Sequence, residues 1–208
     1  MTVPEPPVAD SAALFPVLHR RRLGSGRLFD LVCETVDLGP AGQVDRDYLE
    51  HPGAVAILAL DESDRVLLIR QYRHPVRSYL WEIPAGLLDV PGETLVEAAR
   101  RELLEEADLR ASHWHTLADF YTSPGASNEA LRVFLARGLS QVPVSQRHVR
   151  TAEEQDMQVH WLPLAEAVDL VLRGAIGNPS AVVAVLAANA ARSQQWGSLR
   201  AVDADWVR

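Results

Sequence analysis

The chain has 208 residues, 48% of them hydrophobic, and it carries a formal net charge of -8 at pH 7. A chain of this size and hydrophobic content can bury a substantial core in one domain and still leave a small appendage. The acidic balance argues against a protein that grips nucleic acid through a basic surface. It also means that a phosphate-bearing substrate would need a bound cation as intermediary.

The sequence shows no features of secretion or membrane insertion. A single cysteine, Cys33, excludes an intramolecular disulfide framework and fits a reducing cytoplasm. Residues 1–17 lack a basic segment followed by a long apolar run, and no apolar run reaches the roughly 18 residues of a membrane span. We therefore expect a cytoplasmic protein that binds neither a membrane nor nucleic acid.

Residues 1–50 predict a loose tail followed by a small antiparallel sheet. The prolines among the first ten residues disfavour regular structure there. Residues 29–38, FDLVCETVDL, predict a strand, and a turn rich in glycine and proline joins it to the strand-like residues 43–51. We expect this segment to form a small unit of its own.

Residues 51–190 predict a mixed sheet flanked by helices, and residues 191–208 predict an irregular tail. Runs of strand-forming residues predict strands at 53–60, 65–72, 81–86, 116–121, 131–136 and 157–162. Helical periodicity predicts helices at 94–109, 165–174 and 178–193, the last with Asn178 as N-cap and Pro179 in its first turn. The predicted class is α/β (α+β), with a mixed β-sheet sandwiched between helices and a small N-terminal β-sheet domain.

The first predicted helix gathers carboxylates along a short stretch. Glu102 and Glu106 lie one turn apart, and Glu105 lies beside them. Apolar residues supply a buried side: Leu95, Ala98, Ala99, Leu103 and Ala107. A solvated acidic face would tolerate the repulsion, which costs about 0.2–0.5 kcal/mol per pair. Carboxylates one turn apart also form an all-oxygen site for a hard cation such as Mg²⁺ or Mn²⁺.

The loop that enters this helix favours the cation site. Its sequence, PAGLLDVPGE at residues 84–93, contains glycines that let the backbone approach a ligand closely. A cation held there would offset the negative field and bridge to phosphate oxygens.

Gly86, Glu93 and residues 101–109, RELLEEADL, resemble the signature of the Nudix hydrolases, which cleave nucleoside diphosphates linked to another group. Seven residues separate Glu93 from Arg101, as in that signature. The loop from Gly86 to Glu93 is one residue longer than the usual form, and Asp108 stands where the family normally has glycine. Aspartate tolerates the left-handed conformation that such a helix end needs.

The resemblance extends from about Phe29 to about Ala190 and points to the ADP-ribose pyrophosphatase branch, particularly its actinobacterial members. The segments HPGAVAILAL, RQYRHPV and LWEIPAGLLD carry it, and Pro124 stands where that branch has a proline. A Ser-Pro-Gly turn is also a common loop. The resemblance implies hydrolysis of ADP-ribose to AMP and ribose 5-phosphate, with two or more Mg²⁺ or Mn²⁺ ions per active site.

The resemblance also implies roles for individual residues. Glu102 and Glu106 would be the main metal ligands, with Glu105 as a further or bridging ligand. The carbonyl group of Ala85 would complete the set. Arg101 would orient the carboxylates through charge-assisted hydrogen bonds.

The general base of this branch is a glutamate on a loop near the C-terminal strand. Here the loop is TAEEQDMQ at residues 151–158, where Glu153 is the first candidate and Glu154 the alternative. Gln155 stands where some relatives carry a carboxylate, which weakens the case for a third metal ion. Glu93 would hold the helix entrance.

Three arginines in the segment IRQYRHPVR are candidates for binding the phosphates: Arg70, Arg73 and Arg77. Arg73 is the first choice, and ordinary surface charge is the alternative for one or two of them. Glu82 would contact the ribose or cap a turn. Glu129 would reach the metal region or form a salt bridge within its loop.

The N-terminal segment bears on assembly. In the ADP-ribose pyrophosphatase branch it forms a small sheet that packs across a dimer partner and contributes aromatic side chains to the adenine site. The resemblance therefore implies a homodimer, with Phe29 and Tyr48 as candidate adenine contacts. Packing in the core is the alternative for each.

Two other functions stay open at this point. A non-catalytic nucleotide-binding regulator is one, although the residues after Leu162 contain no basic recognition helix and the three glutamates are all present. The other is a Nudix enzyme that acts on another nucleoside diphosphate sugar or on an oxidised nucleotide. Pocket shape decides that choice, and a panel of nucleotide substrates discriminates the candidates.

Overall fold

The computed structural model describes residues 8–148 and 157–206. The chain divides into two compact units, Met1–Glu50 and His51–Arg208. Within the described ranges, no helix combines the length and the apolar character that crossing a membrane requires.

The first unit is an antiparallel sheet in the order β1-β2-β3. Its strands are β1 (Val17–Ser25), β2 (Asp30–Asp37) and β3 (Gln43–Glu50). The predicted pairing of β2 with β3 is confirmed, with Asp30 opposite Glu50. The sequence prediction lacks β1, because every residue of this strand is exposed and no alternation of buried and polar positions marks it.

The second unit contains a four-stranded and a three-stranded sheet. Its strands are β4 (Ala54–Ala59), β5 (Arg65–Arg73), β6 (Ser78–Glu82), β7 (Ala85–Leu87), β8 (Leu109–Tyr121), β9 (Ala130–Gln141) and β10 (Gln158–Pro163). Four strands follow the order β7-β4-β9-β8, in which β4 and β9 run parallel and the other pairs antiparallel. The other three follow the order β10-β5-β6, with antiparallel pairing. The predicted mixed sheet is confirmed.

Helices cover both faces of the four-stranded sheet: α1 (Leu95–Ala107), α2 (Leu164–Leu172) and α3 (Pro179–Ser193). The alternation of side chains along β4 separates the two layers. Leu58 is buried in one cluster with Val185 of α3, whereas Ile57 is buried in another with Leu103 of α1. The sheet therefore lies between α1 on one side and α2 and α3 on the other, which confirms the predicted sandwich.

Helix α1 begins and ends at residues with suitable local chemistry. The hydroxyl of Thr94 accepts the N–H of Glu97, and the carboxylate of Glu97 accepts the N–H of Thr94 at 2.9 Å, which forms a capping box. The helix ends at Ala107 instead of residue 109, because Asp108 takes a left-handed conformation with φ 54°. The predicted N-cap of α3 is confirmed, since Asn178 accepts the N–H of Ala181 at 3.0 Å.

Strand β8 is twice as long as the predicted segment 116–121. It begins directly after Asp108 and pairs with β9 from its first residue to its last, with one irregularity between Thr116 and Ala118. The exposed residues Ser112 and His113 lie in its first half and break the alternation of buried and polar positions. Pairing with β9, not local pattern, extends the strand.

The C-terminal tail is held on the sheet by a buried charge network. Arg132 of β9 is buried and donates to the carbonyl oxygens of Ala204 at 2.7 Å and Asp205 at 2.8 Å. Its Nε also donates to Asp119 of β8 at 2.7 Å, and Arg200 donates to the same carboxylate at 2.9 Å. The tail is mostly irregular, as predicted, but its anchorage was not predicted.

Candidate metal centre and active site

Strand β7 brings the entry loop against the glutamates of α1. Gly86 of β7 pairs with Val55 of β4 in the sheet. A methyl group built on Gly86 would overlap the carboxyl group of Glu102. Glycine alone leaves room for that carboxylate against the backbone. We call this contact the Gly86 cradle.

Glu102 and Glu106 do not lie on a solvated face. Their exposed fractions are 8% and 6%, and the N–H of Ala85 donates to Oε2 of Glu106 at 2.9 Å. The alternative of a solvated acidic face is therefore wrong for these two glutamates. Glu105 is partly exposed beside them.

Arg101 contacts three of the surrounding glutamates. Its Nε and Nη2 each donate to Glu93 at 3.0 Å, and its Nη1 donates to Glu102 and, at 3.4 Å, to Glu105. The hydrogen bond to Glu93 is the main cause of a raised pKa of Arg101, so this guanidinium stays charged. These contacts support the orienting role of Arg101, which stays a prediction.

The cluster holds more negative than positive charge. Burial raises the pKa of Glu102; Arg101 lowers that pKa, whereas Glu105 and Asp89 raise it further. Crowded, buried carboxylates of this kind favour a bound cation. Asp89 was not selected from the sequence, and the signal that could have found it is its place in the glycine-flanked loop before α1.

The donor set fits a hard divalent cation. Glutamate side chains and a backbone carbonyl offer only oxygen, which Mg²⁺ and Mn²⁺ prefer, and the Gly86 cradle keeps Glu102 against the entry loop. In the part of the chain that the structure describes, no three His, Cys, Asp or Glu side chains are arranged to hold a metal ion. Glu102 contacts Arg101 instead.

Arg73 is held by a buried carboxylate. Its Nε and Nη2 donate to the two oxygens of Glu82 at 2.8 Å and 2.6 Å. Glu82 is 2% exposed and also accepts from Gln71 at 3.5 Å. The contacts make Glu82 a residue that positions Arg73, and the guanidinium of Arg73 is the exposed member of the pair.

The other two candidate arginines have different surroundings. Arg70 lies 4.9 Å from the ring centre of Tyr79 and 5.9 Å from that of Trp81. Arg77 is exposed and takes a left-handed conformation with φ 52° after the turn His74–Val76. Both remain predictions as phosphate ligands.

The loop between β8 and β9 carries two of the predicted residues. Pro124 is exposed. Glu129 accepts the hydroxyl of Thr122 at 2.7 Å and lies 3.7 Å from His51, and Asn128 accepts the N–H of His51 at 2.8 Å. Glu129 is therefore held by contacts within and beside its loop, and both of its predicted roles stay predictions.

The remaining candidates belong to the first unit or fall outside the described residues. Phe29 belongs to the first unit, next to β2, and is 43% exposed. Glu153 and Glu154 fall outside the described residues. Sequence reasoning missed Gln71 and the steric role of Gly86, which depend on pairing between β5 and β6 and between β4 and β7.

Comparison with known proteins identifies relatives of this chain. A family profile described as the NUDIX domain matches residues 50–183. The ADP-ribose pyrophosphatase of Mycobacterium tuberculosis is 42% identical over 193 residues, which is 93% of this chain and 91% of that protein. The ADP-ribose pyrophosphatase of Bacillus subtilis is 36% identical over 154 residues, which is 74% of this chain and 81% of that protein.

A solved structure shares the fold. The crystal structure of an ADP compounds hydrolase matches with a TM-score of 0.71 at 24% identity, covering 90% of this chain and 98% of that chain. The profile match includes β4 to β10 and α1, so it contains the Gly86 cradle and the glutamates of α1. The chain belongs to the NUDIX family.

Proposed function

We propose that this protein hydrolyses the diphosphate of ADP-ribose, with water, to AMP and ribose 5-phosphate. The observation that carries the proposal is the cluster of Glu102, Glu105 and Glu106 beside the Gly86 cradle, in which Glu102 and Glu106 are buried and Glu105 is partly exposed. The substrate is supported by two relatives named ADP-ribose pyrophosphatase, whose similarity covers most of this chain. Pro124, in the exposed loop after β8, is a further feature in its favour.

We propose two or more Mg²⁺ or Mn²⁺ ions as cofactors. The carboxylates of Glu102, Glu105 and Glu106 and the carbonyl group of Ala85 would hold them. Such ions, when bound, neutralise the charge of a diphosphate and lower the pKa of water. Burial, with a smaller contribution from the nearby carboxylates of Glu105 and Asp89, raises the pKa of Glu102, and a bound cation would offset this cost.

Arginine side chains would position the metal ligands and bind the phosphates. Arg101, fixed by Glu93, would hold the carboxylates at their spacing. Arg73 would donate to the phosphates, with Arg70 and Arg77 as supporting candidates. Because Glu82 already restrains the guanidinium of Arg73, that side chain would lose little conformational freedom on binding.

The reaction is tested by incubating the protein with ADP-ribose and Mg²⁺, with and without EDTA, and separating the products. We expect equal amounts of AMP and ribose 5-phosphate, and no release of either in EDTA. Turnover of another nucleotide but not of ADP-ribose would contradict the substrate and keep the metal centre. No turnover across a panel of nucleoside diphosphate sugars and oxidised nucleotides would favour a non-catalytic regulator.

Glu153 is proposed as the general base, with Glu154 as the alternative. Removing a general base lowers kcat by about 10²- to 10⁴-fold, so Glu153→Gln should lower kcat by that amount and Glu154→Gln should lower it far less. Both variants are compared in kcat and in Mn²⁺ affinity, because a metal ligand would change the affinity as well. The reverse order of the two kcat values would assign the base to Glu154.

We also propose that the protein is a cytoplasmic homodimer. Apolar side chains of the first unit, including Leu23, Phe29 and Leu31, are 47%, 43% and 39% exposed and would be covered by a partner. The single cysteine, Cys33, fits a reducing compartment. Sedimentation equilibrium should give twice the chain mass of 22.9 kDa, and a monomer at micromolar concentration would contradict the dimer.

A further inference from the structure

A cavity of about 290 Å³ lies between α1 and the start of β8. Its lining consists of three arginines and three largely apolar residues: Arg100, Arg101, Leu104, Arg110, Ala111 and Trp114. Such a concentration of positive charge stands out in a chain with a net charge of -8. The candidate metal centre uses only Arg101 among these residues.

Arg100 and Arg110 are the cations of this cavity that are available to a ligand. Arg101 is already bound by Glu93, Glu102 and Glu105. Among the described residues, no salt bridge joins Arg100 or Arg110 to a carboxylate. Arg100 lies 6.0 Å from the ring centre of Trp114, and Arg110 donates to the side-chain oxygen of Gln146 at 3.3 Å.

We propose that this cavity binds a nucleoside monophosphate, with the phosphate on Arg100 and Arg110 and the base against the apolar wall. A guanidinium group matches phosphate oxygens bidentately, and Leu104, Ala111 and Trp114 offer apolar surface to a planar ring. The volume is close to the lower end of ligand pockets, about 300 Å³. It therefore suits a mononucleotide better than a dinucleotide.

The indole of Trp114 provides a local probe. Its Nε1 donates to the carbonyl oxygen of Ala111 at 3.1 Å, and both residues line the cavity. The chain has five tryptophans, so ¹⁵N NMR resolves few indole signals, and the variant Trp114→Phe assigns the one that matters. AMP is titrated in EDTA, which separates this binding from metal-dependent hydrolysis and keeps the test independent of the proposed reaction.

We expect AMP to shift the Trp114 indole signal in a saturable manner. Arg100→Ala and Arg110→Ala should each weaken this binding about tenfold, as expected for loss of a charged hydrogen bond. Arg173→Ala, which removes an exposed arginine at the end of α2, should leave it unchanged. The spectra also report whether each variant is folded.

Three results would overturn the proposal. They are no shift of the Trp114 signal at millimolar AMP, an affinity for AMP equal to that of the wild type in both arginine variants, or an equal shift with adenosine, which lacks the phosphate. AMP bound at the glutamate cluster instead would shift other signals and persist in the Arg100 and Arg110 variants.

Discussion

Replacing Gly86 with alanine should lower both the affinity for Mn²⁺ and kcat/KM for ADP-ribose by about a hundredfold, the upper range for residues that support metal ligands. The added methyl group would overlap the carboxyl group of Glu102. That carboxylate would have to leave its place against the entry loop, although its charge and its helix would stay the same. A loss of Mn²⁺ affinity in this variant would therefore report the position of the Glu102 carboxylate and not its charge.

Mn²⁺ titration followed by electron paramagnetic resonance gives the affinity, and AMP release gives kcat/KM. Gly177→Ala is the matched control, because a methyl group there meets no atom within 4 Å, and it should keep both values. Thermal denaturation shows whether the Gly86 variant is folded. Wild-type Mn²⁺ affinity in a folded Gly86→Ala protein would mean that the cradle does not position a metal ligand.

The glutamate cluster could be predicted because its signals are local. Positions 102, 105 and 106 lie within about one helix turn of each other. Thr94 and Glu97, which form the capping box, are three residues apart. The glycines of the loop directly precede the helix in the sequence. The resemblance to the Nudix signature rested on the same short stretch, and family membership confirmed it. Local patterns of this kind need no knowledge of which strands pair.

The contacts that were missed join residues from different strands and helices. Glu82 contacts Arg73 because β5 and β6 pair, with Ile69 opposite Glu82. The sequence around either residue does not predict this contact. The sequence predicts that Gly86 lets the backbone approach a ligand closely, but not that β7 places it against the carboxyl group of Glu102. Long-range pairing decides these contacts, so composition and periodicity could not supply them.

The network around Arg132 joins residues that are far apart in the sequence, since its partners come from β8 and from the C-terminal tail. No local pattern of the sequence predicts it.

Replacing Asp119 with asparagine should destabilise the protein by about 3–5 kcal/mol, the cost of leaving a buried charge without its partner. Arg132 is 1% and Asp119 is 9% exposed in their side chains. The carbonyl oxygens of Ala204 and Asp205 would still accept from Arg132, but they cannot balance its charge.

Urea denaturation at a fixed protein concentration measures this loss, and Asp64→Asn is the matched control. Asp64 pairs with Arg192 at 2.8 Å, but these two side chains are 47% and 42% exposed, so the same substitution there should cost under about 1 kcal/mol. A comparable small loss in both variants would show that the buried network contributes no more than a surface pair. A large loss at Asp119 alone would show that the buried network stabilises the folded domain. The tail is part of that network, because it accepts two of the four hydrogen bonds that Arg132 donates.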